Sequence, residues 1–105
     1  MPKYITYHNQ NFTDYFFSKS LKGNQIKKAA VVEADNLDEV YRATNTIDSP
    51  WTENPEVKEV LTDSTRSLSV GDLILDEAAN KLHVVEDMGF RVVTKAERNS
   101  INFIK

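Results

Sequence analysis

Apolar and polar residues alternate in short bursts along most of this chain, the period-two pattern of β-strands, and only one stretch repeats at helical spacing. Lys3 to His8, rich in Thr and Tyr, predicts a strand, and Ile26 to Ala34, centred on Val31 and Val32, predicts another. Glu56 to Leu61 predicts a third, with Val57 and Val60 out of strict alternation. Asp72 to Asp76, Leu82 to Glu86 and Phe90 to Thr94 predict three short strands joined by tight turns, so they should be antiparallel neighbours. Gly89 stands where the second turn needs a positive φ. Between Asn9 and Gln25, Phe12, Tyr15, Phe16 and Phe17 form an aromatic cluster in a segment whose type the pattern leaves open. The tail from Lys95 to Lys105 reads equally as a short helix ending in Ile101, Phe103 and Ile104 or as an extra strand.

The helical stretch begins at Asn36, a good N-cap because its side-chain oxygen can accept from a free backbone N–H of the first turn. Glu39 lies three residues on, where it can reach back to the cap. Leu37, Val40, Tyr41, Thr44 and Ile47 share one face, and Asp48-Ser-Pro50 should stop the helix near residue 47. The element order predicts an α+β domain spanning 1–105. One main helix, about 37–47, packs on an antiparallel sheet of five or six short strands, and the C-terminal three-stranded meander curls into a half-barrel.

At 105 residues the chain has material for one core. It contains no cysteine, which excludes disulfides, thiolate zinc sites and a cysteine nucleophile and fits a reducing, cytoplasmic setting. No apolar run approaches the roughly 18 residues that span a bilayer, and the first residues lack the apolar core of a secretory signal. The two histidines, His8 and His83, are far apart in sequence, and no metal-ligand spacing or cofactor loop is present. The expectation is a non-enzymatic protein without metal or cofactor.

The net charge of −3 is unevenly distributed. Residues 1–28 carry five lysines and one aspartate, residues 29–87 fourteen acids and four bases, and residues 88–105 four bases and one acid. Should the two basic ends meet in space, they would make a cationic face on an acidic protein.

Three groups of residues invite a functional reading. Pro50-Trp-Thr-Glu-Asn-Pro55 sets the sole tryptophan between two prolines. Trp51, Glu53 and Asn54 then either present a recognition surface or plug the open end of the core. Arg66-Ser-Leu-Ser-Val-Gly-Asp72 offers hydroxyls and a glycine before a strand, without the pattern of a phosphate loop. Gly71-Asp72 suits a turn, and Arg66 is expected to pair with Glu53 or a helix acid. With Asp35 and Asp38 at the helix entrance, Trp51, Glu53, Asn54 and Arg66 make the leading candidate surface, its acidic sign suited to a basic partner. Those acids equally suit the positive end of the helix dipole. Finally, Tyr4, Tyr7, Phe12, Tyr15, Phe16 and Phe17 with Lys3, Lys19, Lys22, Lys27 and Lys28 combine rings with positive charge, as a nucleic-acid stacking surface requires. The same aromatics can instead fill the core, or Tyr15-Phe16-Phe17 can form a protein–protein surface. Association into a homodimer is compatible with all of these.

The run from Val32 to Asp48, then Trp51-Thr-Glu-Asn-Pro55, Arg66-Ser-Leu-Ser-Val-Gly-Asp72 and Gly89-Phe90, resembles a family of small uncharacterised proteins of bacteria, their phages and plasmids. Its second half is similar to the YodL-like domains of mobile elements. The resemblance spans about residues 29–93 and implies a cytosolic accessory protein that binds and modulates or inhibits a host macromolecule, such as a defence or regulatory protein that is itself basic or nucleic-acid-binding.

Overall fold

In the computed structural model the described residues are 2–46, 49–64 and 66–104. The elements run β1 (Lys3–Asn9), α1 (Phe12–Ser18), β2 (Gln25–Glu33), α2 (Leu37–Thr44), a single 3-10 turn (Trp51–Glu53), β3 (Val57–Val60), β4 (Leu73–Asp76), β5 (Lys81–Val85), β6 (Phe90–Val92), α3 (Lys95–Ser100) and β7 (Asn102–Ile104). The fold is α+β, as the pattern predicts, with one sheet ordered β3-β2-β1-β4-β5-β6. β4, β5 and β6 form the expected antiparallel meander. It continues the sheet towards β6, in an order that runs from β3 at one end to β6 at the other, with β7 beside β2.

Two expectations about helices change. The "main" helix is only eight residues long, against seven in α1 and six in α3. The Asn36 cap forms, its Oδ1 accepting from the Glu39 N–H at 2.9 Å, while the Glu39 carboxylate pairs with Arg42 instead of reaching back to the cap. The helix then ends at Thr44, because neighbouring chain claims its last carbonyls: Asn54 Nδ2 donates to Ala43 O at 2.7 Å, and Leu68 N donates to Thr44 O at 3.0 Å. Ile47 and Asp48, the expected end of this helix, lie outside the described residues. The undecided tail is both of its alternatives in turn. α3 carries a full capping box between Thr94 and Glu97, and β7 then pairs in parallel with β2, Ile26 facing Phe103. Arg91 holds α3 to the sheet through Glu97 at 2.7 Å and Glu86 at 3.1 Å, and its hydrogen bonds keep the Glu97 carboxyl down at about 2.

Both faces of the sheet are packed. On one, Tyr4, Ala30, Val32, Ile74 and Val85 meet Val40 of α2, Trp51 and Leu68. On the other, Tyr7, Ile26, Leu73, Leu82 and Val84 meet Tyr15 of α1, Leu21, Val93 and Ile101. The alternation of Leu73, Ile74 and Leu75 between the two clusters is the period-two rule at work. The register shift between Thr6 and Tyr7, where β1 pairs with β2, marks an irregularity that inserts an extra residue of β2 near Ala29.

Candidate functional site

Asp72 organises the region from which the candidate surface was expected. Its side chain is fully buried. Arg66 grips it with both ends of the guanidinium, Nη1 to Oδ2 at 2.6 Å and Nη2 to Oδ1 at 2.7 Å. The Asn9 and Ser69 backbone N–H groups each donate to the same carboxylate at 2.8 Å. Arg66 therefore pairs within its own loop, not with Glu53 or a helix acid. That choice follows from geometry: Gly71 at φ +93° and the Asp72 N–H donating to Ser69 O at 3.0 Å fold the loop back on itself. The turn expected at Gly71-Asp72 is present, and it closes an ion pair.

Trp51 belongs to the same unit. It is only 2% exposed, and its indole N–H donates to Arg66 O at 3.1 Å. His8 meets its ring edge-on with centroids 6.2 Å apart. Burial pushes the His8 imidazole below its ordinary range, helped by the nearby Arg66 charge and opposed by Asp72. The expected contact surface around Trp51 is thus corrected. Trp51 and Asn54 point inward because the end of α2 and the 66–72 loop close over them, and Arg66 is spent on Asp72. Glu53, Asp35 and Asp38 remain exposed.

Asn9 extends the network: Nδ2 donates to Asn24 Oδ1 at 2.9 Å and to Gly71 O at 3.0 Å, while Oδ1 accepts from the Asn11 N–H at 2.7 Å. The 66–72 loop also underlies α1. The Arg66 guanidinium lies 4.4 Å from the centre of the Phe12 ring. A Cβ on Gly71 would stand 3.1 Å from the Tyr15 ring. Tyr15 is wholly buried, and its hydroxyl donates to Glu86 at 2.8 Å. It therefore cannot stack a base, which removes it from the expected nucleic-acid set.

With Tyr15 pinned inward, the helix turns its other aromatics out. Phe16 is 50% exposed and Phe17 81%. They line a shallow groove of about 360 Å³ with Phe12, Thr13, Ser69 and Val70. Val70 also lines an adjoining hollow of about 150 Å³ with Asp38, Tyr41, Glu86 and Asp87. Met88, 94% exposed, stands at the tip of the β5–β6 turn beside that hollow. Lys19 bridges the two regions, its Nζ 5.2 Å from the Phe16 ring centre and 4.0 Å from Asp87. The face is apolar at its centre, and its rim carries Asp38, Glu86 and Asp87, of which Arg91 holds Glu86 and Lys19 approaches Asp87.

The sequence reading named Phe16, Phe17 and Asp38 but missed Val70 and Met88. The signal for Met88 was available, since a large apolar residue at a hairpin tip has no core to enter. Lys27 and Lys28 lie elsewhere, on β2, so the expected basic-aromatic set is divided between two surfaces. Ser69 and His83 line different hollows and do not meet. Among the described residues, no group of three or more His, Asp or Glu side chains is arranged to hold a metal ion. No described helix is long and apolar enough to cross a membrane.

No family model, no curated protein and no solved structure matches this chain.

Proposed function

We propose that this protein is a small non-enzymatic binding protein, an accessory factor of the phage or mobile-element kind, whose α1 face docks on a host protein and modulates or inhibits it. The observation that carries this reading is the pairing of an apolar groove at Phe12, Phe16, Phe17 and Val70 with an acidic hollow at Asp38, Glu86 and Asp87. An exposed cluster of large apolar side chains on a rigid support is the usual mark of a recognition surface. The acidic rim selects the partner's chemistry: a segment carrying apolar anchors flanked by Lys or Arg, as nucleic-acid-binding proteins present. The chain's own Lys19, over the Phe16 ring and beside Asp87, supports the reading that this face accepts a cation.

The test is site-specific photo-crosslinking in a bacterial lysate. A photoreactive phenylalanine analogue is placed at position 17, at 88, and at the exposed Lys58 on the edge strand β3. The reading expects one stoichiometric adduct from both 17 and 88, none from 58, with the attached peptide rich in Lys or Arg. Equal labelling from all three positions, or an acidic crosslinked peptide, would count against it.

A further inference from the structure

The second exposed surface lies where the two basic ends of the chain come together. β7 joins the edge of β2 beyond the reach of β3, placing Gln25, Ile26 and Lys27 against Asn102, Phe103 and Ile104. A trough of about 670 Å³ opens there, lined by Ile5, Lys27, Lys28, Val31, Leu61 and Phe103 among others. It runs on into a hollow of about 240 Å³ that shares Lys28, Phe103 and Ile104 and adds Tyr7 and Arg98. Lys22 stands on the neighbouring loop, whose Gly23 N–H donates to Ser100 O at 2.9 Å.

We propose that this trough binds single-stranded nucleic acid, with a base stacked on Phe103 and phosphates held by Lys27, Lys28 and Arg98. Phe103 is 44% exposed, and Tyr7 supports it edge-on with ring centroids 5.6 Å apart. A propped, half-exposed ring gives a base a flat partner, and the apolar walls at Ile5 and Val31 suit the rest of the base. Arg98 is held at the mouth by Asn80, accepting its Nη1 at 3.2 Å and Nη2 at 3.1 Å through backbone and side-chain oxygens. Glu59 lies in the trough wall and Glu77 near Tyr7. The Glu86 and Asp87 acids follow β5, three strands from β2 along the sheet, about 14 Å at the usual strand spacing. That exceeds the roughly 10 Å screening length at 0.1 M salt, so the overall negative charge does not forbid a local polyanion site. This surface is separate from the α1 face and stands on its own observations.

The experiment is fluorescence anisotropy of a labelled mixed-sequence 15-nucleotide DNA strand, with the intact protein, at 50 and 200 mM KCl. Three phosphate contacts predict that binding weakens about 20-fold between these salts. Phe103→Ala is expected to weaken binding about tenfold at 50 mM KCl, and the pair Lys27→Glu with Lys28→Glu more than that, each variant keeping the wild-type circular dichroism spectrum. Phe17→Ser should bind as wild type, which separates this site from the α1 face. The proposal is overturned if no binding is seen at 50 mM KCl, or if Phe103→Ala binds like wild type. It is likewise overturned if the same-length duplex binds as tightly as the single strand, or if polyglutamate competes as well as unlabelled DNA.

Discussion

The Trp51–Asp72 region and the α1 face exchange the roles their sequences suggest. Trp51, Arg66 and Asp72 are conspicuous residues of the kind expected at a binding site, yet Trp51 and Asp72 are buried, and the half-buried Arg66 is held by the Asp72 carboxylate, which ties the loop to the sheet. Phe16 and Phe17 sit in an aromatic cluster that a core would welcome, yet they face outward. The difference lies in who satisfies whom. An indole N–H and a carboxylate must find partners when buried, and each finds them inside the 66–72 loop. A phenyl ring makes no such demand, so its place is decided by which side of α1 the single Tyr15–Glu86 hydrogen bond draws inward.

That contrast can be broken by substitution. The largest effect is expected at Asp72. Asp72→Ala strips Arg66 of its partner and frees the Asn9 and Ser69 N–H groups, and should cost about 3–5 kcal/mol in urea unfolding. Trp51→Ala empties a filled part of the core and should cost a similar amount, about 3–5 kcal/mol. Gly71→Ala places a side chain at positive φ and against Tyr15, and should cost about 1–3 kcal/mol while shifting the Tyr15 environment seen by NMR.

A smaller effect is expected with pH. Because His8 is held neutral in the fold, its contribution is fully present above about 6.5, its ordinary value, and declines as pH falls below that. Thermal melts from pH 8 to pH 5 should show this loss in wild type and a flatter profile in His8→Gln. Smallest of all, Phe17→Ser removes no buried contact and should leave stability within about 0.5 kcal/mol of wild type while abolishing the crosslink from position 88.

Much of the frame was legible. Period-two patterns placed the strands to within a residue or two, and the Asn36–Glu39 spacing placed the start of α2. The end of α2 was not legible, because Asn54 and Leu68, distant in sequence, supply the hydrogen bonds that finish it. Nor was the Arg66–Asp72 pair, since a positive-φ glycine between charged residues shows a turn but not which groups it brings together. The site was less legible still. Phe103 and Arg98 acquire meaning only through the parallel docking of β7 on β2, a contact between chain segments some 77 residues apart. The uneven charge layout left open whether the two basic ends meet, and the pairing of β7 with β2 brings Lys27 beside Ile104.

Urea unfolding of Asp72→Ala and Phe17→Ser side by side tests the central claim, that the conspicuous loop is scaffold and the bare helix face is not. The account predicts a loss of about 3 kcal/mol or more for the first and almost none for the second. An Asp72→Ala protein as stable as wild type, or a Phe17→Ser protein destabilised as much as Asp72→Ala, would contradict it.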